Sequence, residues 1–228
     1  MILAAALVLT AAGCGGATVG ESRSERERPT TTKTLTDAAP AELRAGWRTQ
    51  FSKHSVPFAQ IESGGVPKDG IPAIDAPRFV AVSDVEFLAP DEPVIALEVA
   101  GEARAYPIQI LIWHEIVNDE IDEVPVAVTF CPLCNTAIVF DRRVEGRTLD
   151  FGTTGNLRHS DLVMYDRQTE SWWQQFSGEA IVGEYTGTRL RQIPARIVAW
   201  REFAAAEPAG RVLSRDSGFS RAYGDNPY

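Results

Sequence analysis

The sequence is short of histidine, cysteine and positive charge, and it has no long apolar run. Twenty-two Lys plus Arg stand against 31 Asp plus Glu, a formal charge of -9, so nucleic-acid binding through a basic surface has no electrostatic support. Only about the first dozen residues form an uninterrupted apolar stretch, too short to cross ~30 Å of hydrocarbon, and no later segment reaches the roughly 18 apolar residues a span needs. A polytopic membrane protein is thereby excluded. There is no Gly-rich phosphate loop, nucleophile elbow or H-E-x-x-H, which leaves the standard nucleotide-binding and hydrolase readings without support. No short-period repeat marks a solenoid. With three histidines and three cysteines in the chain, any metal site draws on a small pool.

What remains is a chain of 228 residues, 44% hydrophobic and 23% charged, enough for one substantial globular domain or two small ones. Its opening, MILAAALVLTAAGCGG, reads as a secretory signal ending in small residues. Ala11, Ala12, Gly13 and Cys14 resemble a bacterial lipobox, although the usual Leu is displaced to Leu9 and no Lys or Arg precedes the apolar stretch. The expectation is a lipoprotein signal peptide over 1–13, lipidation at Cys14 and an extracytoplasmic protein anchored to the cell membrane, or secreted if the lipobox is not used. Residues 14–40 interleave Glu with Arg and carry few large apolar groups, the composition of a flexible tether. From 41 to 228 the composition is globular.

The patterns over 41–228 predict a mainly β or α+β fold, a β-hairpin-rich single domain with one or two short helices. PVIALEV and ARAYP flank Gly101 as a hairpin, and HEIVNDEI and VPVAVTF are strands joined by an acidic turn. NTAIVFDR and RTLDFG are expected to pair around Glu145 and Gly146, and DLVMYD, EAIVGEY and TRLRQI read as further strands. Ile108, Leu111 and Ile112 have helical spacing after Pro107, in a helix that should end by His114, and VAWREFAAAE is the best helix. The segment GGVPKDGIPAIDAPRFV is expected to be an ordered loop. The chain stops at SRAYGDNPY with no terminal cap, as a C-terminally truncated chain would.

If Cys14 carries lipid, Cys131 and Cys134 form one C-x-x-C. Two thiolates in a tight turn can hold one metal ion at ~2.3 Å, and Pro132 stiffens that turn. Asn135 suits the left-handed backbone that often follows the second Cys. A thioredoxin-type site would place the second Cys in a helix, whereas TAIVF is β-branched. Three readings stay open: a metal site, a redox-active pair and an inert staple. Pairing of the HEIVNDEI and VPVAVTF strands would bring His114, 17 positions before Cys131, towards the Cys turn, and His159 could complete a Cys2His2 set for copper or zinc. Each histidine could equally be satisfied structurally, and His54 reads as incidental. As catalytic candidates, Cys131, Cys134 and His114 would serve thiol–disulfide chemistry. His114-Glu115 and Asn118-Asp119 are either acid–base pairs or ordinary edge charges.

The stretch SDLVMYDRQTESWWQQ is dense in polar and aromatic groups. Tyr165, Asp166, Thr169, Ser171, Trp172 and Trp173 are candidates for the wall of a sugar or peptide site. Alternatively, the tryptophans cap a core, and Asp166, Thr169 and Ser171 form Asx and Ser/Thr turns between two strands. The expected partners are the membrane through the lipid anchor and an envelope redox or metal-delivery protein.

GEARAYP, WHEIVND, TFCPLCNTA, FGTTGNL, SDLVMYDRQTESWWQQ, GEAIVGEYTG and YGDNPY, in that order over about residues 70–228, resemble domain-of-unknown-function family 3179 of bacteria and archaea. The resemblance implies a secreted or lipid-anchored protein and brings no activity with it. It makes His114, Cys131, Cys134, Asp166, Ser171 and Trp172 motif positions, and it implies a further β-rich portion beyond NPY.

Overall fold

The computed structural model describes residues 37–228, which fall in one compact unit. The expected signal peptide, the lipidation site Cys14 and the tether as far as residue 36 lie outside the described residues. In residues 37–40, Ala39 is buried and Asp37 accepts a hydrogen bond from the Phe58 N–H at 3.2 Å.

A short helix, α1 (Ala41–Arg44), precedes strands β1 (Ile61–Ser63), β2 (Phe79–Ala81), β3 (Pro93–Val99) and β4 (Glu102–Pro107). Helix α2 (Ile108–His114) leads into β5 (Ile116–Ile121), β6 (Val124–Cys131), β7 (Thr136–Asp141), β8 (Arg143–Val144), β9 (Arg147–Thr148) and β10 (Phe151–Arg158). Next come β11 (Asp161–Asp166), β12 (Trp172–Gln174), β13 (Glu179–Val182), β14 (Gln192–Ile193), β15 (Ala195–Ala199), helix α3 (Trp200–Ala206) and β16 (Arg211–Leu213). The result is the mainly β, hairpin-rich fold that the alternating patterns predict. The turns expected at Gly101 and at the acidic link both close hairpins, each through two residues with left-handed backbone, Ala100-Gly101 for β3–β4 and Asp122-Glu123 for β5–β6.

Among the described residues, three sheets of four or five strands form, in the orders β1-β10-β11-β12-β13, β14-β7-β6-β5 and β15-β3-β4-β16-β2, beside a two-stranded β8-β9 sheet. The β5–β7 sheet is the central layer, and β6 shows why. Its alternate residues Ala127 and Cys131 join Phe140, Phe151, Met164 and Trp173 in one core, shared with the β10–β13 sheet. Val126, Val128 and Phe130 point to the opposite core with Ile95, Leu97, Tyr106, Ile110 and Leu111 from β3, β4 and α2. A strand buried on both faces reads as the near-continuous apolar run VPVAVTF. Two outer cores complete the stack. Residues of the 47–61 segment cover the far face of the β11–β13 region, and α3 covers the far face of the β3–β4 sheet.

Two expected strands are cut short. NTAIVFDR does not pair with RTLDFG, because β7 already has β6 on one edge and β14 on the other; only the small ribbon β8–β9 turns about Glu145 and Gly146. EAIVGEY ends at Val182, where Gly183 takes φ 108 and an added Cβ would stand 2.7 Å from the Ser171 Cα. TRLRQI keeps only Gln192 and Ile193 as strand.

Candidate functional site

The CPLC turn connects β6 to β7, with Cys131 paired in register to Thr136. The Asn135 N–H bonds the Pro132 carbonyl at 3.3 Å, and Asn135 takes φ 48, the left-handed position expected of it. The chain leaves the turn as strand β7 and not as a helix, so no helix N-terminus supports a thiolate here. Both cysteines are free thiols, Cys131 buried and Cys134 partly exposed. The Cys131 thiol points at the Ser160 carbonyl, 3.7 Å away, and burial pushes its pKa up to about 12, with Cys134 adding to the rise.

A second turn faces the first. His159 and Ser160, at φ 55 and 62, form the two-residue connection between β10 and β11 and deliver Asp161 to the cysteines. Asp161 Oδ1 lies 3.4 Å from Cys134 Sγ, and one ligand atom from each of Cys131, Cys134 and Asp161 falls within 4.8 Å of the others. The Asp161 carboxylate is held in a defined orientation. Its Oδ2 accepts hydrogen bonds from the Gln174 side-chain amide and from the Phe176 N–H, the latter at 3.0 Å, which leaves Oδ1 turned to the sulfur. Gln174 is fixed in turn by Arg158, whose guanidinium donates to Gln174 Oε1 at 3.0 Å and to Gln60 Oε1 at 2.8 Å.

Cys134 has its own support. Its Sγ is 3.1 Å from Thr136 Oγ1, and Thr136 donates to Gln175 Oε1 at 3.0 Å. With the hydroxyl proton so used, Thr136 Oγ1 and Asp161 Oδ1 are both acceptors facing the single Cys134 S–H. Fully buried Gln175 also donates to Thr129 Oγ1 at 2.9 Å, which ties the two strands below the turn to β12.

The histidines are placed elsewhere. His114 ends α2 in the interior. Its Nδ1 donates to the Pro72 carbonyl at 2.7 Å, so its Nε2 accepts from the Tyr223 hydroxyl at 2.6 Å, and Phe219 packs beside the ring. Burial lowers its pKa, in keeping with a neutral ring. Both nitrogens are occupied, and among the described residues the group with metal-ligand spacing takes in Asp161 and neither His114 nor His159. His159 is exposed in the β10–β11 turn, two residues from Asp161. The β5–β6 pairing does bring a residue to the cysteines, but it is Glu115: its carbonyl accepts the Phe130 N–H at 2.8 Å.

Glu115 caps α2 at φ 58, and the residue is only 6% exposed. The Tyr228 hydroxyl donates to its Oε1 at 2.8 Å. Burial is the main reason its pKa rises to about 7; the nearby Asp161 charge adds to the rise, and the Tyr228 hydrogen bond opposes it. Glu115 and Tyr228 line a small cleft with Leu133, which sits between the two cysteines, and Leu162, the residue after Asp161.

The aromatic segment is a scaffold in this structure. Trp172 and Trp173 are both 0% exposed and point to opposite faces of β12, Trp173 into the core shared with the central sheet and Trp172 into the outer core with Phe58 and Ile181. Neighbouring residues on a strand must face opposite ways, so they form no solvent-facing wall. Tyr165 is buried and donates to Asp69. Asp166 accepts the Thr169 N–H at 2.6 Å and the Trp173 Nε1–H at 2.9 Å, and Thr169 Oγ1 lies 2.7 Å from Ser171 Oγ. This is the Asx and Ser/Thr turn alternative, closing the β11–β12 hairpin.

Sequence reasoning did not single out Asp161, Gln174 or Gln175, although all three lie in the polar-aromatic stretch. The available signal was the left-handed demand of a two-residue turn at His159-Ser160, which would have placed Asp161 at a strand start.

No curated protein and no solved structure matches the chain. A family model described as "Protein of unknown function (DUF3179)" matches residues 68–228, a span that holds the cysteine turn, Asp161, both glutamines and Glu115. The chain therefore belongs to the DUF3179 family.

Proposed function

We propose that this protein is an extracytoplasmic, lipid-anchored domain that binds a transition metal through Cys131, Cys134 and Asp161. The observation that carries the reading is the approach of two thiols and one oriented carboxylate oxygen, from two different turns, to within 4.8 Å of one another. Two thiolates bound to one tetrahedral ion at about 2.3 Å stand roughly 3.8 Å apart, which such a cluster can meet with small adjustments. Two sulfurs with a carboxylate suit zinc better than cuprous copper, which favours soft ligands throughout. The buried Cys131 thiol, pushed up to about 12, is a poor attacking group for disulfide exchange without a metal or cation to stabilise its thiolate. An ion would supply that charge, so metal binding uses the same burial that works against redox exchange.

The test is metal content by mass spectrometry on the full chain prepared without chelators, beside Cys131→Ser/Cys134→Ser and Asp161→Ala. The reading expects near-stoichiometric zinc in the native protein and none in the double variant, with affinity at least about tenfold weaker in Asp161→Ala. Retained metal in the double variant, or a native protein that takes up none when zinc is offered, sinks it. Copper in place of zinc would revise the ion and keep the site. Membrane association of the expressed protein that is lost in Cys14→Ala would support the anchor.

A further inference from the structure

The far face of the β15-β3-β4 sheet is only partly covered. Helix α3 follows β15 directly and has 7 residues, so at about 1.5 Å per residue it covers roughly 10 Å of the sheet. Its buried residues, Trp200 and Phe203, pack on Val94, Ala105 and Val212. Past that contact the strands carry the small side chains of Ala96 and Ala103, and the helix stops before Pro208. A groove of about 450 Å³ opens there, with Ala96, Ala103 and Val198 on the sheet side and Phe203 and Ala206 on the helix side. That volume lies in the range of small-molecule sites.

The rim is charged, and mostly of one sign. Glu98 from β3, Glu202 from α3 and Glu207 at the helix end line the groove with Arg196 from β15, three negative groups against one positive. Ala206 and Glu207 are the last residue and the C-cap of α3, so the negative end of the helix dipole lies on the same side. None of these four charged side chains is hydrogen-bonded or ion-paired to another described residue, whereas Glu102 and Glu179 elsewhere on the surface meet Arg104 and Arg189. The glutamates are also spread out: among the described residues the one group with metal-ligand spacing is Cys131, Cys134 and Asp161. A single hard cation, which needs several oxygens at 2.0–2.6 Å, finds no convergent set here.

We infer that this groove binds an aliphatic polyamine, its methylene chain lying on Ala96, Ala103, Val198 and Phe203 and its ammonium groups meeting Glu98, Glu202 and Glu207. The floor and the rim select the class together. Hydrocarbon removed from water on the apolar floor supplies contact that a bare cation cannot make, and separated carboxylates suit a ligand whose positive charges are themselves separated along a chain. A neutral apolar ligand would leave the rim unpaired, and an anionic one would be repelled by it. The groove lies on the far face of the β3–β4 sheet, a different layer from the cysteine turn, so the inference is independent of the metal reading.

The experiment is calorimetric titration of the full chain with spermidine at physiological ionic strength, where nonspecific surface attraction is screened, with hexylamine and magnesium as comparison ligands. The expected result is one spermidine per chain, bound at least about tenfold more tightly than either comparison ligand. Glu98→Gln/Glu202→Gln/Glu207→Gln keeps the shape of the rim and removes its charge, and should weaken spermidine at least about tenfold. Ala96→Leu keeps the charges and fills the floor, and should weaken it to a similar degree. Near-ultraviolet circular dichroism confirms that each variant is folded. Absence of saturable binding overturns the inference, as does magnesium or hexylamine matching spermidine. Spermidine affinity unaltered in either variant also overturns it, because the ligand would then sit elsewhere. A trilysine peptide that binds through the same glutamates more tightly than spermidine would assign the groove to a basic peptide and overturn the polyamine.

Discussion

The stretch from Ser160 to Gln175 contains two regions that look alike in sequence and differ in what they do. Its middle, Asp166 to Trp173, packs inward: the Asp166 carboxylate takes donors from Thr169 and Trp173 and both indoles lie inside, although Trp172 Nε1 has no partner among the described residues and Gln168 is exposed. Its ends, Asp161 on one side and Gln174 and Gln175 on the other, meet across β11 and β12 and brace the cysteine turn. The middle therefore acts as the frame that holds the ends in register. The carboxylates separate the two regions better than composition does: Asp166 is taken up by its own hairpin, while the neighbourhood of the thiols retains a thiol dyad and, in Glu115, a carboxyl with one side-chain hydrogen bond among the described residues.

Substitution should split the regions the same way. Trp173→Ala removes a fully buried indole from between two sheets together with its bond to Asp166. It should cost about 3–5 kcal/mol in urea unfolding, whereas Asp161→Ala should lose metal affinity with little loss of metal-free stability. If Trp173→Ala were instead nearly neutral, the middle could not be the frame.

The next effect is a pH dependence centred on Glu115. Its folded pKa of about 7 lies above the ordinary value of 4.5, so the folded chain holds the proton more tightly. The associated stability is fully present below pH 4.5 and is lost as pH rises through about 7, on the order of 3 kcal/mol in all. His114 runs the other way. Its lowered pKa makes the folded state avoid protonation, so stability falls as pH drops below 6.5. Comparing the metal-free native chain with Glu115→Gln from pH 4 to 8 cancels the histidine contribution, and the difference curve should decline between about pH 4.5 and about 7 and level off above. A flat difference would make Glu115 as well satisfied as Asp166.

Gln174→Ala should have a smaller effect, felt at the metal. It frees the Asp161 carboxylate from the side chain that orients it, and loss of such an outer partner typically weakens metal binding about 10–100-fold. Competition with a chromophoric chelator measures this. An equal loss of metal-free stability would mean that Gln174 belongs with the frame.

Much of the fold was legible in the sequence because its signals are local. Gly101, the acidic Asp122-Glu123 pair and the period-two runs around them fix the β3–β4 and β5–β6 hairpins, and Pro107 and His114 bracket α2. What failed depends on which edges are free: the AIVF run reads as a hairpin partner until β14 is seen to occupy its other side. The site was legible in part for the same reason. C-x-x-C and Asn135 announce a turn from neighbouring residues alone, whereas Asp161 arrives through the pairing of β10 with β11. The β5–β6 pairing was expected, but helix α2 takes up His114 and leaves Glu115, one residue later, at the register position opposite Phe130.

His159 gives the finest discrimination and the smallest expected effect. It occupies the turn that carries Ser160 and Asp161, is exposed, and takes φ 55, a conformation that asparagine accepts as readily. His159→Asn should therefore leave stability within about 0.5 kcal/mol. If Asp161 completes the protein's ligand set, zinc affinity should also stay within about twofold, since the turn keeps its shape and loses only an imidazole outside the cluster. A tenfold or greater drop, with Asp161 unchanged, would mean that the imidazole swings in as the fourth ligand when the ion arrives. That result would add the turn's imidazole to the ligand set of Cys131, Cys134 and Asp161.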